Sequence, residues 1–439
     1  MKVGVLGGGL TGLTVSYFLA KKGHQVIIWE KESVLGGMAS GYKTRDWDWY
    51  LDKTYHHLFA NDHDIFDFAQ EIGFNKIFFQ KPETASLYKN PKSAYSPIWK
   101  VYQQTRSTSQ STQFLMCPLD TPLDFLKFPL LKPFDKIRSG SIIAFLKLSP
   151  FLPYYEKITS EDFLKKTMGE ESWKILWQQL FRKKFGENAG NILASFFWAR
   201  IKKRTKKLGY IRGGFQTFIN HLEKVNHNLG VVIKKNYEVK NIEKDKNGFK
   251  IGEESCNIVV STLPTPVLIN IGKNIFPKNY LSRLKKIKYL HSLDLIIESP
   301  LPLFDKTYWL NICDKNIPIM GLVQHTNFIN KKHYNNKHIL YIANYVSDDS
   351  KLLRMGDKQL SNFFLTYLKQ INKRFRFTDC VSHVFKYAQP IFDKEFIKNR
   401  PDFKTPVDNF YIANLDMTYP YDRGTNYAVV LGKKVSELI

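Results

Sequence analysis

The sequence predicts an α/β fold in which a parallel-sheet domain, assembled from separated parts of the chain, carries an inserted second domain of mixed sheet and helices. Three observations predict it. A strand–glycine loop–helix–strand unit opens the chain, several strand candidates surround one helix between residues 285 and 390, and strand–turn–helix returns at the end.

Lys2-Val3-Gly4-Val5-Leu6 reads as a buried strand running into Gly7-Gly8-Gly9-Leu10-Thr11-Gly12. Leu13 to Lys22 reads as an amphipathic helix, and Gln25-Val26-Ile27-Ile28-Trp29 as a second strand ending at Glu30. This is G-x-G-x-x-G with a strand before it, a helix after it and an acid about 20 residues on. Gly7 permits the tight turn, Gly9 lets the backbone approach a pyrophosphate, and Gly12 lets helix and strand pack closely. The pyrophosphate sits at the helix N-terminus, where free N–H groups and the dipole favour an anion. Glu30 is placed to accept hydrogen bonds from ribose hydroxyls. The pattern points to a bound dinucleotide.

Composition narrows the setting. The 439 residues suffice for two or three domains, and 43% apolar with 15% aromatic residues describes a globular chain. Cys117, Cys256, Cys313 and Cys380 are far apart and form no C-x-x-C pair, so neither a disulfide framework nor a zinc site is expected. The first strand starts at Lys2, which leaves no room for a leader, and a cytoplasmic protein is expected. No apolar run approaches the roughly 18 residues of a spanning helix. The longest, around Ser141 to Phe151, is broken by Lys147 and Pro150.

The formal charge of +25 suits a surface for phosphates or anionic lipid. The lysines are scattered and often sit beside Asn, which favours a compositional bias instead. No nucleic-acid-binding motif is present and no nucleic-acid partner is expected. Contact with the inner face of a membrane is expected to be peripheral, weak and salt-sensitive at most.

Leu35-Gly36-Gly37-Met38 follows the ribose acid, and glycines there admit a phosphate or an extended ligand to the backbone. An aromatic, histidine-containing stretch runs from Trp47 to Phe59, and residues 63 to 72 have helical periodicity. From about 80 the pattern is irregular, rich in Pro and Ser up to Pro133. It turns helical near Thr159, which forms a capping box with Asp162, and continues through Trp173, Trp177 and Phe181. Trp173, Trp177 and Trp198 read as core. Gln216 to Val225 reads as a helix, Val231-Val232-Ile233 and Tyr237 to Ile242 as strands, and Asn247-Gly248 as a hairpin turn. Cys256 to Thr262 is a buried strand. Ser292 to Glu298, Ile317 to His325 and His338 to Tyr345 are strands around a helix from about Lys358 to Lys373. Asp408 to Asn414 is the last strand, Asp416 lies in the turn, and Gly424-Thr425-Asn426 opens the final helix.

The fingerprint suits NAD or FAD. Its place at the start of the chain, the second Gly-Gly directly after the acid, and the final strand–turn–helix favour FAD. Reduced flavin needs a dipole near its N1–C2 carbonyl, and the helix opening at Gly424 offers one.

With these residues the chain resembles the flavin-containing amine oxidase and protoporphyrinogen oxidase superfamily over nearly its whole length. The resemblance rests on Gly7 to Gly12 with Glu30, Leu35-Gly36-Gly37, Gly209 to Gly214, Tyr237-Glu238-Val239, Val260 to Pro264, and Tyr411 to Leu431. It implies that Val239 contacts the adenine through its backbone, that Asp416 lies near the ribitol or pyrophosphate, and that Gly424, Thr425 and Asn426 face the pyrimidine edge. The cofactor-binding set is then Gly7, Gly9, Leu10, Thr11, Gly12, Glu30, Lys31, Gly36, Gly37, Met38, Val239, Asp416 and those three. Two departures matter. Many members carry Arg where this chain has Met38, and the cysteine that holds covalent flavin in monoamine oxidases is missing from Tyr419 to Arg423. Noncovalent FAD is therefore expected. Tyr55 to Asp62 also resembles a histidine-containing segment beside the flavin of UDP-galactopyranose mutase.

His56 and His57 are candidates for hydrogen bonding to flavin or substrate, or for proton transfer near neutral pH; packed structural histidines are the other reading. Arg212, before Gly213-Gly214, is a candidate to hold an anionic substrate group or a cap on the turn. Lys202-Lys203-Arg204 with Lys206-Lys207 is the densest basic cluster. No metal ligands are expected. A discontinuous Rossmann-type FAD domain (1–75, 206–275 and 401–439) would enclose a substrate domain made of a helical, irregular insert (76–205) and a mixed sheet (276–400). The chemistry expected is hydride transfer from a C–N or C–C bond to flavin. The alternative is a non-redox flavoenzyme acting on a nucleotide sugar.

Overall fold

The computed structural model describes residues 1–90 and 113–439. The Ser- and Pro-containing sequence between 91 and 112 lies outside the described residues.

A five-stranded parallel sheet is built from Lys2–Leu6, Gln25–Trp29, Val232–Lys234, Ile258–Ser261 and Phe410–Ile412. Numbered by chain position, the strands lie in the order 3-2-1-4-5, that of the doubly wound dinucleotide fold. Val5 pairs with Ile28 on one side and Val260 on the other. All three are fully buried, because a parallel sheet is covered on both faces and its strands become continuous apolar runs. Helices Leu10–Lys21, Phe215–Asn228 and Thr425–Ser436 cover one face. On the other, an antiparallel meander (Glu243–Asp245, Gly248–Ile251, Glu254–Cys256) packs Ile251 and Cys256 against Trp29. The expected hairpin is present, but its turn is Lys246-Asn247, one residue earlier than Asn247-Gly248, with Gly248 paired to Asp245. Tyr237 to Ile242 is not a strand: it runs extended, with the Tyr237 amide donating to the Glu30 carbonyl (2.9 Å), and pairing resumes at Glu243.

The second sheet has seven strands, ordered Asp379–Pro390, Tyr289–Ser299, His338–Val346, Gly321–Gln324, Thr307–Ile312, Glu83–Lys89 and Phe114–Pro118. Only the pairing of Thr307–Ile312 with Glu83–Lys89 is parallel. Its last two strands come from the stretch read as helical and irregular, so part of that insert belongs to the sheet. Period-2 alternation divides the central strand. Leu340 and Ile342 face helix Asp357–Ile371, while Ile339 and Tyr341 face the parallel-sheet domain.

Helices Pro133–Leu148, Ser160–Met168, Gln178–Phe185 and Ala194–Lys203 form a layer to one side. Thr159 caps its helix by accepting from the Asp162 amide (3.1 Å). The run does not continue unbroken to Phe181, because Gly169 takes φ +96° and ends the helix at Met168. Trp173 and Trp198 are buried, as expected of core. No helix among the described residues is long and apolar enough to cross a membrane.

Candidate functional site

Two helices begin at the carboxyl edge of the parallel sheet, both preceded by a glycine without a side-chain cap: Gly9 before Leu10–Lys21 and Gly424 before Thr425–Ser436. Uncapped first turns leave N–H donors without an intrahelical partner. The two helices pack against each other so closely that a Cβ on Gly432 would lie 2.7 Å from the Thr14 Cβ. Their positive ends therefore open on one side of the molecule.

The glycine loop has the geometry the fingerprint predicts. Gly7 takes φ +99°, and the Thr262 hydroxyl locks the turn by donating to the Leu6 carbonyl (2.8 Å). A Cβ on Gly12 would fall 2.0 Å from the Gly7 oxygen, so only glycine lets the helix approach the turn. A Cβ on Gly9 would meet nothing within 4 Å; the space before it is open. Gly36 and Gly37 face this loop, with the Gly36 amide donating to the Gly8 carbonyl (2.9 Å). Glu30 is buried and accepts from the amides of Gly8 (2.7 Å) and Glu32 (2.9 Å). Each carboxylate oxygen keeps acceptor capacity for a ribose hydroxyl. These features fit a dinucleotide. Lys31 turns outward to an exposed pair with Glu32. Val239 is half-buried beside the segment that Tyr237 ties to Glu30.

Asp416 is buried, and its Oδ2 accepts from Thr265 (2.5 Å) and Tyr289 (2.7 Å). Burial raises its pKa to about 6, and its Oδ1 has no partner among the described residues, as a carboxylate awaiting a ligand hydroxyl would. Thr425 is buried at the helix start. The Asn426 side chain does something else: Oδ1 accepts from the Ile65 amide (3.0 Å) and Nδ2 donates to Asp64 (3.0 Å). It caps helix His63–Glu71, whose own N-cap residue Asp62 makes no cap bond because it accepts from Phe59 and pairs with Lys203.

Near this cradle lies a charged cluster, half-buried at Lys184, Asp422 and Arg423 and fully buried at Asp294, that sequence reasoning did not find. Arg423 reaches the Met38 sulfur (3.7 Å) and stacks on Tyr345, with its centre 5.2 Å from the ring centroid. Burial opposes its charge, but Tyr345, Tyr55, Asp294 and Asp422 more than offset that. Asp422 binds Lys184 (2.7 Å) and Arg200. Its carboxyl is held down to about 2 against its burial by those cations and Arg423. Burial raises Asp294 to about 6. The only signal in the sequence was Asp422-Arg423 preceding the last helix; Lys184 and Asp294 lie on elements whose convergence no local pattern reveals.

His56 and His57 come to this region. Nδ1 of His56 donates to the Thr54 carbonyl (2.7 Å), which leaves Nε2 as an acceptor. Burial, then the Arg423 charge, lowers its pKa to about 3; burial lowers that of His57 to about 4. Both rings are neutral at pH 7, so proton transfer near neutral pH is not what this environment favours; neutral hydrogen bonding is. Arg212 stands apart from these residues. It is exposed, lies 5.3 Å from the Phe78 ring centroid, and shares a surface groove with Trp49 and His333.

Known proteins resemble this arrangement. A 15-cis-phytoene desaturase of Synechococcus elongatus is 42% identical over 103 residues, which cover 21% of this chain and 21% of that protein. The aligned part is thus about a fifth of that relative's length. The structure of cyclohexylamine oxidase from Brevibacterium oxydans superposes with TM-score 0.73 at 11% identity, covering 100% of this chain and 98% of that one. Reduced UDP-galactopyranose mutase superposes with TM-score 0.73 at 13% identity, covering 99% and 94%. At such identities the structural likeness is one of fold. The profile of the Flavin containing amine oxidoreductase family matches residues 10–439, and the chain belongs to that family.

Proposed function

We propose that the protein is an FAD-dependent oxidoreductase that holds FAD noncovalently and takes a hydride from a C–N or C–C bond of a small-molecule substrate. The observation that carries this reading is the pair of helices that start uncapped after Gly9 and Gly424 and pack together through Thr14 and Gly432. Bound FAD supplies the hydride acceptor, N5, and delivers the electrons to oxygen or another acceptor.

The chain's own groups do the rest. The first turn after Gly9 holds the pyrophosphate and Glu30 the adenosine ribose. The turn after Gly424 stabilises negative charge at the pyrimidine edge. Asp416 Oδ1 accepts from a ribitol hydroxyl. His56, neutral and fixed by Thr54, offers Nε2 as a hydrogen-bond acceptor to flavin or substrate. Tyr419 to Arg423 contains no cysteine for a covalent link. The cofactor domain comprises 1–75, 206–275 and 401–439, and the substrate domain 76–205 and 276–400.

The test is purification followed by anaerobic titration. A yellow protein that releases FAD on denaturation, is bleached by an amine or a desaturable substrate, and consumes an acceptor in proportion supports the reading. Conversion of a sugar nucleotide only after dithionite reduction, with no acceptor consumed, would replace it with the mutase-like alternative.

A further inference from the structure

Helix Pro133–Leu148 is apolar on both faces. Leu146 and Ser139 turn inward and are buried. On the opposite face, Phe134, Ile137, Phe145 and Leu148 recur at helical spacing and stand in solvent, with 72%, 65%, 50% and 83% of their surface exposed. Asp135, Lys136, Arg138 and Lys147 interrupt the apolar pattern of the helix, yet this stripe of large apolar side chains stands on the surface and not in the core. The short helices on either side extend the patch, Leu123 and Leu126 before it and Phe151 and Tyr154 after it, all more than half exposed. Eight large apolar side chains exposed in such a short stretch are more than the singly scattered surface hydrophobics of an ordinary monomeric soluble protein.

The fold also joins this patch to the densest basic cluster of the sequence. Lys147 donates to the Arg204 carbonyl (2.8 Å) and Lys202 to the Ser149 carbonyl (3.1 Å), fixing 202–207 beside the end of the helix. Residues 200–207 hold six Lys and Arg, of which Arg200, Lys203 and Arg204 pair with Asp422, Asp62 and Asp120 and the other three pair with no acid among the described residues, and residues 122–157 hold six against three acids. A second copy would bring like charge against like charge. An anionic lipid surface satisfies both halves of the patch, headgroups against the lysines and acyl chains against the apolar stripe.

We propose that residues 122–157, with the basic segment 200–207, dock the protein onto the surface of an anionic bilayer, with helix Pro133–Leu148 lying in the interface plane. The attachment is monotopic, and burial of apolar side chains makes it firmer than the weak, charge-only contact that composition suggests.

The test is cosedimentation of the full chain with vesicles of phosphatidylcholine and phosphatidylglycerol. Binding should persist at about 1 M NaCl, where screening shortens to about 3 Å and charge alone would release the protein. Phe134→Ser, Phe145→Ser and Leu148→Ser together should weaken partitioning by about tenfold or more, since three exposed apolar groups no longer enter lipid, with melting temperature and flavin content unchanged. Hydrogen exchange of the wild type should show vesicle-dependent protection confined to 122–157 and 200–207, a readout that does not depend on the variant folding. Failure to bind these vesicles, release at high salt, or protection elsewhere would overturn the proposal. So would a concentration-dependent dimer that the triple substitution dissolves without vesicle binding, which would assign the patch to a second copy.

Discussion

The Arg423 guanidinium lies 3.7 Å from the Met38 sulfur, bridging the turn before the last helix and the second glycine loop. The family resemblance implies an arginine at position 38, and this fold brings a guanidinium to Met38 from 385 residues further along. Arg423→Met should lower flavin retention by about tenfold or more, because a charge-assisted contact is worth about 1.5–3 kcal/mol. The swap Met38→Arg with Arg423→Met should restore much of it. Unchanged flavin content and absorbance in Arg423→Met would show that the guanidinium serves only Tyr345 and Asp422.

Two glycines three residues apart should respond in opposite ways. A side chain at Gly9 meets nothing within 4 Å, so Gly9→Val should leave the apoprotein's melting temperature nearly unchanged while abolishing flavin binding by filling the pyrophosphate path. A Cβ at Gly12 lies 2.0 Å from a backbone oxygen that cannot give way. Gly12→Ala should cost about 3 kcal/mol or more of stability. Thermal melts with and without FAD separate the two. Full flavin occupancy in Gly9→Val would displace the phosphate loop from its assigned place.

The parallel sheet was legible in the sequence because its signals are local: buried apolar strands, a glycine loop and an acid at fixed spacing. The mixed sheet was legible as strands but not as an order, and Glu83–Lys89 pairs with Thr307–Ile312 across more than 200 residues. No local pattern announces such a partner. The turn at Gly7, the close approach at Gly12 and the position of Glu30 were readable for the same reason as the parallel sheet. The cluster of Lys184, Asp294, Asp422 and Arg423 was not, because burial and tertiary convergence give it its charge states. Helix Pro133–Leu148 shows a further limit. Its apolar residues are plain in the sequence, but which of its two apolar faces stays in solvent is decided by packing.

Asn426 illustrates how a side chain at a ligand-facing turn can serve the fold. Its Oδ1 takes the Ile65 amide in place of the absent Asp62 cap. Asn426→Ala should cost about 1–2 kcal/mol, the usual size of a lost N-cap. It should also raise hydrogen exchange in His63–Glu71, with flavin affinity changed little. A large loss of flavin without fraying of that helix would return Asn426 to the cofactor.

His325 sets a pH dependence whose sign can be worked out. It is buried against Tyr210, Tyr334 and Tyr341, with Nε2 2.8 Å from the Tyr334 hydroxyl, and burial alone lowers its pKa to about 3. The unfolded chain takes up a proton near pH 6.5 and the folded chain does not, so the contribution is fully present above about pH 6.5 and is lost as pH falls toward 3. At about 1.4 kcal/mol per pKa unit, the loss amounts to roughly 5 kcal/mol across that window. Asp52 works in the opposite direction. Burial raises it to about 7, against the hydrogen bonds from Tyr210 and the Phe215 amide. Its contribution is therefore present at low pH and lost as pH rises from about 4 to 7. His325→Gln, which keeps a partner for Tyr334 but cannot titrate, should make the fall in stability between pH 6.5 and 4 shallower by one proton's share, while the buried neutral His56 and His57 go on contributing theirs. Urea melts at half-unit pH intervals on both proteins measure this. A variant that kept the wild-type slope would mean that His325 is already protonated in the fold, and its neutral burial among the tyrosines would have to be abandoned.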